Sequence, residues 1–290
     1  MCQVLKNVYY FLVYSNALIA LAAVGQCALT YLILNYPVNP FILVIEGATT
    51  MLLYNLSLYL SLPAGPAASP YRRTRWLGRN MPLFWVVSGT AACVAVFALS
   101  QIHLMTIGYL GVIGGMSVAY AFPLIRIGGK RIGLRQLPGL KLFYIALIWS
   151  LSSVGLPVVE AFYADIAIDW GKANYLGLVK VLFLLLCTLP FDIRDIEQDR
   201  HYKLKTLPVL LGRTRSIQLS YLLGVVHILV LLVAPYSFLI RSALIVATIG
   251  VMLLLRLVIF TQEKHYHYVY LLDLALILQW LIVLVFTEIA

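Results

Sequence analysis

Apolar runs of about twenty residues, each ended by a polar loop, follow one another along almost the whole of this 290-residue chain. A bilayer core about 30 Å thick is crossed by a helix of that length, and within lipid only helices and closed barrels satisfy every backbone polar group. With 62% hydrophobic residues, 11% charged residues and a mean hydropathy of +0.95, the composition excludes a soluble domain of this size. The chain reads as one all-α, polytopic membrane domain over residues 1–290. Its nine spans lie at about 12–35, 40–62, 81–100, 103–125, 139–158, 173–191, 216–234, 238–259 and 267–288, and its halves are 1–125 and 126–290. The apolar run behind Lys6 lacks a small-residue cleavage pattern and reads as the first span, not as a removed signal. Cys2, Cys27, Cys93 and Cys187 are too scattered for a disulfide framework or a metal motif.

The basic residues test this count. Eighteen of the 21 Lys and Arg fall on one side: Lys6, the Arg72–Arg79 group, the Arg126–Lys141 group, the Arg194–Arg215 group, Arg256 and Lys264. Only Lys172 and Arg241 fall on the other, with Lys180 inside a span. Positive residues accumulate in cytoplasmic loops, so the expected topology has a cytoplasmic amino terminus and a carboxyl terminus outside, in the cell's inner or plasma membrane. The net charge of +10 therefore reflects orientation and anion binding, not nucleic acid.

Directly after the sixth span comes Asp192-Ile193-Arg194-Asp195-Ile196-Glu197-Gln198-Asp199, four of the chain's eleven acidic residues in eight positions. If the helix continues, Asp192, Asp195 and Asp199 stand at i, i+3 and i+7 and line one stripe. Like charges so aligned repel, and a hard divalent cation carrying substrate phosphates is the usual counter-ion. Two long loops, 63–80 and 195–215, read as lids or binding elements, and the basic, glycine-rich stretch 126–139 reads as a third loop.

Polar groups inside the spans are candidate functional groups. Glu46 reads equally as a hydrogen-bonded interior acid or a ligand, Lys180 is expected to snorkel outward, and Asp273 with Gln279 reads as a packing pair near the cavity. His265 and His267 lack the partners of a zinc site.

The acidic stretch, with Lys205-Thr206-Leu207-Pro208-Val209-Leu210-Leu211-Gly212 behind it, resembles the second aspartate-rich motif of the UbiA family of intramembrane prenyltransferases. Tyr120-Ala121-Phe122-Pro123-Leu124, then Leu140-Lys141 and Ala146-Leu147-Ile148-Trp149, resembles the start of that family's second half. The resemblance runs from about span two to the end. It implies a nine-helix bundle with a central cavity open to the cytoplasm. In that cavity Mg²⁺ and a polyprenyl diphosphate are held, and the prenyl group passes to an acceptor within the membrane. It implies Asp192, Asp195 and Asp199 as metal ligands, Asp195 and Asp199 as the catalytic pair, and Asn55, Arg72, Arg73, Arg75, Lys141 and Lys205 on the diphosphate. The family's first motif, N-x-x-x-D, is matched at Asn55 but has Tyr59 in the aspartate's place, and no Asp or Glu occurs between Glu46 and Glu160. Either one metal is lost and Arg72, Arg73 or Arg75 neutralises the diphosphate, or the chain binds an isoprenoid lipid without transferring it or partners another enzyme.

Overall fold

A computed structural model of the protein describes residues 3–69, 72–121, 125–127, 130–132, 137, 139–201, 204–261 and 268–288. Eight helical stretches are long and apolar enough to cross a membrane, and a ninth apolar helix, over Leu104–Tyr120, is slightly shorter. The expected all-helical, multi-pass architecture is the one observed.

The first span begins later than its hydropathy suggests. Helix α1 covers Gln3–Tyr14 and α2 covers Ala17–Leu34, and between them Asn16 adopts a left-handed conformation (φ 63°) that interrupts the helix. Asparagine tolerates that region where most residues do not. Helix α3, Pro40–Leu60, starts with proline where a missing N–H costs nothing, and Asn39 Oδ1 accepts the Phe41 N–H at 3.0 Å. The 63–80 loop folds into a short 3₁₀ turn at Pro66–Ala68 and helix α4, Arg72–Arg79. Helices α5, Met81–Leu99, and α6, Leu104–Ala121, complete the first half. The 126–139 stretch is not wholly irregular: β1, Ile125–Ile127, pairs antiparallel with β2, Lys130–Ile132, in register Arg126 to Arg131.

Helix α7, Leu140–Ser150, passes through a π-helical turn at Leu151–Gly155 into α8, Leu156–Tyr163. The Tyr109 hydroxyl donates to the Leu151 carbonyl at 3.0 Å across that turn, and a Cβ on Gly155 would collide with the Tyr109 ring. Gly155→Ala is therefore expected to cost about 1–3 kcal/mol through overpacking, read as a lower unfolding midpoint in detergent.

Helix α9, Trp170–Arg194, is the bundle's most buried span, packed on α7 and on α12, Arg213–Leu232. Asp169 caps it, accepting the Lys172 N–H at 3.0 Å, and that bond holds its carboxyl below the usual range. Pro190 removes one N–H from the ladder, and the helix stops four residues later. It does not run through the acidic stretch. Asp195 caps the end, and the chain re-enters α10, Ile196–His201, then α11, Leu207–Leu211. Helix α13, Phe238–Leu254, with a π-helical extension to Ile259, and α14, Leu271–Glu288, close the bundle, α14 lying on α2 and α13. Phe183, Leu186 and Leu189 of α9 form its core with Leu142, Ala146, Val251 and Leu272.

Lys180 does not snorkel. Its side chain is buried, and the ammonium donates to the Gln26 carbonyl, to Thr30 Oγ1 at 2.8 Å and to Ser153 Oγ at 3.4 Å. Three acceptors on α2 and the π-helical turn satisfy the charge in place, so a long reach to the membrane surface has nothing to gain. Glu46 accepts the Ser152 hydroxyl at 2.6 Å, and Gln279 accepts the Gln26 amide at 2.9 Å. These groups tie spans together and stand apart from the site described next.

Candidate functional site

A cavity of about 260 Å³ opens at the end of the bundle where α1, α4, α7, α9 and α14 meet. Its apolar wall comes from faces spaced at helical intervals, Leu142, Ile145 and Trp149 on α7 with Leu184, Thr188 and Phe191 on α9. Its rim carries three cations, Arg73, Lys141 and Arg194, and three carboxylates, Asp192, Asp195 and Asp273.

Two backbone features bring Lys141 to this rim. Gly139 takes a left-handed conformation (φ 69°) that turns the chain into α7, and its N–H donates to the Lys205 carbonyl at 3.0 Å. That bond places Lys141 beside the acidic segment, where Nζ lies 2.5 Å from Asp192 Oδ1 and 3.9 Å from Asp199 Oδ2. Asp192 and Asp199 are 4% and 6% exposed. Asp195, one residue beyond the end of α9, turns instead to Arg194, whose Nε and Nη2 reach its two oxygens at 2.8 and 3.0 Å. Arg194 is held in turn between two rings, its Cζ 5.3 Å from the Phe191 centroid and 5.6 Å from that of Tyr270. The break after Arg194 thus splits the expected stripe into a pair on Lys141 and a single carboxylate on Arg194.

Across the cavity, Asn55 and Arg73 meet through Asn16. The Asn16 amide donates to Asn55 Oδ1 at 2.7 Å, Asn55 donates to Ser88 Oγ at 2.9 Å, and the Arg73 guanidinium donates to Asn16 Oδ1. Asn55 acts on the cavity through this bridge and does not line it. Among the described residues the buried Nε of Arg73 has no acceptor, so a strong donor is left for an anion. Tyr59 lies outside the lining. It is 42% exposed and packs on Trp85 and Phe84, with centroids 5.1 and 6.3 Å away.

The remaining site residues divide. Arg72 and Arg75 line a separate recess on the far side of α4, and the exposed Lys205 contributes its backbone carbonyl. Asp273, expected in the bundle interior where it could approach the cavity, lines it. Sequence reasoning missed Asn16 and the caging of Arg194. The one legible signal was a Ser15-Asn16 pair inside an otherwise apolar run. His265 and His267 lie outside the described residues.

Among the described residues no three His, Cys, Asp or Glu side chains gather closely enough to form a metal cluster; Lys141 pairs with Asp192 and Asp199, and Arg194 with Asp195. The donor chemistry still fits one hard divalent ion. Asp199 Oδ2 is buried with no hydrogen-bond donor among the described residues, and Asp192 and Asp199 already share one cation. The family's second ion has no carboxylate from α3 or α4, which carry no Asp or Glu after Glu46.

No protein-family model and no curated protein matches the chain. Solved structures do. A UbiA homolog from Aeropyrum pernix K1 superposes with a TM-score of 0.65 at 12% identity, covering 93% of this chain and 98% of that one. A UbiA homolog from Archaeoglobus fulgidus, bound to GPP and Mg²⁺, does so with a TM-score of 0.59 at 10% identity, covering 97% and 99%. A digeranylgeranylglyceryl phosphate synthase gives 0.54 at 12% identity, covering 98% and 97%. Over nearly its full described length, then, this chain has the fold of the UbiA homologs.

Proposed function

We propose that the chain is an intramembrane prenyltransferase, binding a polyprenyl diphosphate in this cavity and passing its prenyl group to a membrane-associated acceptor. The observation that carries the reading is the juxtaposition of Arg73 Nε, a buried cationic donor with no acceptor among the described residues, with an apolar chamber between the helices. The fold supports it, since an A. fulgidus homolog of the same fold holds GPP and Mg²⁺. The basic rim faces the cytoplasm in this reading, as the charge asymmetry of the loops requires.

The diphosphate lies against Arg73, Lys141 and Arg194, whose N–H groups take phosphate oxygens by charge-assisted hydrogen bonds. Breaking the allylic C–O bond concentrates charge on the leaving diphosphate, and donors fixed beforehand stabilise that charge most, at roughly 3 kcal/mol for a single donor. Asn16 and Asn55 fix Arg73, and the Phe191 and Tyr270 rings fix Arg194. Arg73, Lys141 and Arg194 face Asp192, Asp195 and Asp273, with Asp199 also on Lys141, so the substrate's own negative charge calls for one more cation. Mg²⁺ would be held by Asp192 and Asp199, which already share one cation, supplying that counter-charge to the departing diphosphate. Arg73 does the neutralising on the side where the family's first motif would carry its carboxylate. Leu142, Ile145, Trp149 and Leu184 hold the prenyl tail, and the Trp149 and Phe191 faces shelter the developing carbocation from water.

A second reading, binding without transfer, draws on Tyr59, whose ring packs away from the cavity and leaves the first motif without its acid. Incubating the purified full chain with labelled polyprenyl diphosphates of several lengths, Mg²⁺ and a panel of aromatic and lipid acceptors separates the two. Prenylated product that disappears on chelation supports transfer. Tight binding with no product at any chain length supports the second reading.

A further inference from the structure

Helix α4 presents a basic face on the side turned away from the cavity. Arg72, Arg75 and Arg79 stand at i, i+3 and i+7, one stripe of guanidinium groups along a recess of about 350 Å³ completed by Asn7 and Tyr10 of α1 and by Trp76. This recess shares no lining residue with the cavity. Arg73, between two of these arginines in sequence, points to the other side.

The stripe is held in place. Leu77 is fully buried, Trp76 packs on Tyr14 with centroids 5.7 Å apart, and Gly78 meets the Pro66–Ala68 turn so closely that a Cβ would strike its backbone. No Asp or Glu lines the recess, and none occurs in the sequence from 47 to 159. Aligned like charges on one helix face repel, and an anion with several oxygens relieves the repulsion while accepting forked hydrogen bonds.

We infer that this recess binds the phosphate of an anionic phospholipid headgroup. Helix α4 lies in the connection between the apolar spans α3 and α5. The Trp76 and Tyr10 rings beside the arginines are the side chains that favour the headgroup layer. Setting orientation needs only charge in the loop, whereas here the charges line one concave, rigidly supported face. The site stands independently of prenyl transfer.

The full chain in uncharged detergent is titrated with short-chain phosphatidylglycerol, phosphatidylcholine or inorganic phosphate, and bound lipid is counted by native mass spectrometry beside the unfolding midpoint. Phosphatidylglycerol is expected to bind and raise the midpoint, phosphatidylcholine to do neither. The triple variant Arg72→Gln, Arg75→Gln, Arg79→Gln is expected to lose affinity by about a hundredfold, on the scale of surface arginine–lipid attraction. Arg213→Gln with Arg215→Gln, a basic pair elsewhere on the same side, should leave it unchanged. If the triple variant fails to fold, Arg79→Gln alone, at an exposed position, should lose about fivefold. Undiminished phosphatidylglycerol affinity in these variants, or an equal loss in the 213/215 pair, overturns the site. Displacement of the lipid by an equal concentration of inorganic phosphate overturns the lipid as its occupant.

Discussion

Replacing Lys141 by methionine is expected to destabilise the protein by about 3 kcal/mol, and adding Mg²⁺ to recover part of that loss. Removing one partner of a buried ion pair commonly costs about 3–5 kcal/mol because the other charge stays behind without compensation. The low end applies, since the Lys141 side chain is 24% exposed while those of Asp192 and Asp199 are 6% and 8% exposed. Methionine keeps the length and apolar bulk of the stem, so the loss is electrostatic and not a cavity effect. Unfolding midpoints in EDTA measure it. In the same background Asp192→Asn removes the stranded charge and should restore most of the midpoint, a coupling that a double-mutant cycle reads directly. In Mg²⁺ the Lys141→Met chain should gain more than the wild type, because Asp192 and Asp199 then bind the metal in place of the ammonium. Equal gains in both chains would show that these carboxylates do not hold the ion.

The second large effect belongs to Arg73. Arg73→Gln removes the guanidinium that Asn16 orients, and affinity for a polyprenyl diphosphate is expected to fall by roughly tenfold to a hundredfold, since one hydrogen bond to a charged group contributes about 1.5–3 kcal/mol. Stability should fall by about 1–2 kcal/mol, because glutamine ends two bonds short of Arg73 Nη2 and leaves Asn16 Oδ1 without that donor. Isothermal titration or equilibrium dialysis with a labelled diphosphate gives the number. Tyr59→Asp is the informative contrast. It restores the carboxylate that the resemblance expects at that position, yet the Tyr59 ring packs edge-on against Trp85 outside the cavity. No gain in Mg²⁺-dependent binding is expected from it, and a clear gain would show that this face of α3 turns inward when ligand binds.

Hydropathy made the spans legible because a bilayer fixes their length and composition regardless of packing. The acidic stretch was legible for the related reason that four acids behind an apolar run demand partners. What a linear reading lacks is the rotation of each helix about its axis. Arg72, Arg73 and Arg75 look equivalent in sequence, but α4 sends Arg73 to the cavity and the other two to the opposite face. The Asp192–Asp199 stripe assumed an unbroken helix. With Pro190 inside the last turns and Asp195 capping the end, Asp195 falls to Arg194. Lys180 looked placed to reach the surface, and only the tertiary structure shows the Gln26 carbonyl, Thr30 and Ser153 waiting for it. Asn16 was passed over because one polar residue in an apolar run gives no hint of a left-handed break or of a partner 39 residues away.

The central claim is that three side-chain cations at one end of a membrane-embedded bundle grip a diphosphate whose tail enters the apolar chamber behind them. A cryo-electron microscopy structure of the full chain in lipid nanodiscs, with Mg²⁺ and an unreactive thiodiphosphate analogue of the prenyl donor, tests it most directly. The account predicts phosphate density within hydrogen-bonding reach of Arg73, Lys141 and Arg194, with the prenyl chain running past Ile145 and Trp149. Phosphate density confined to the Arg72–Arg79 face of α4, with the chamber closed, would contradict it.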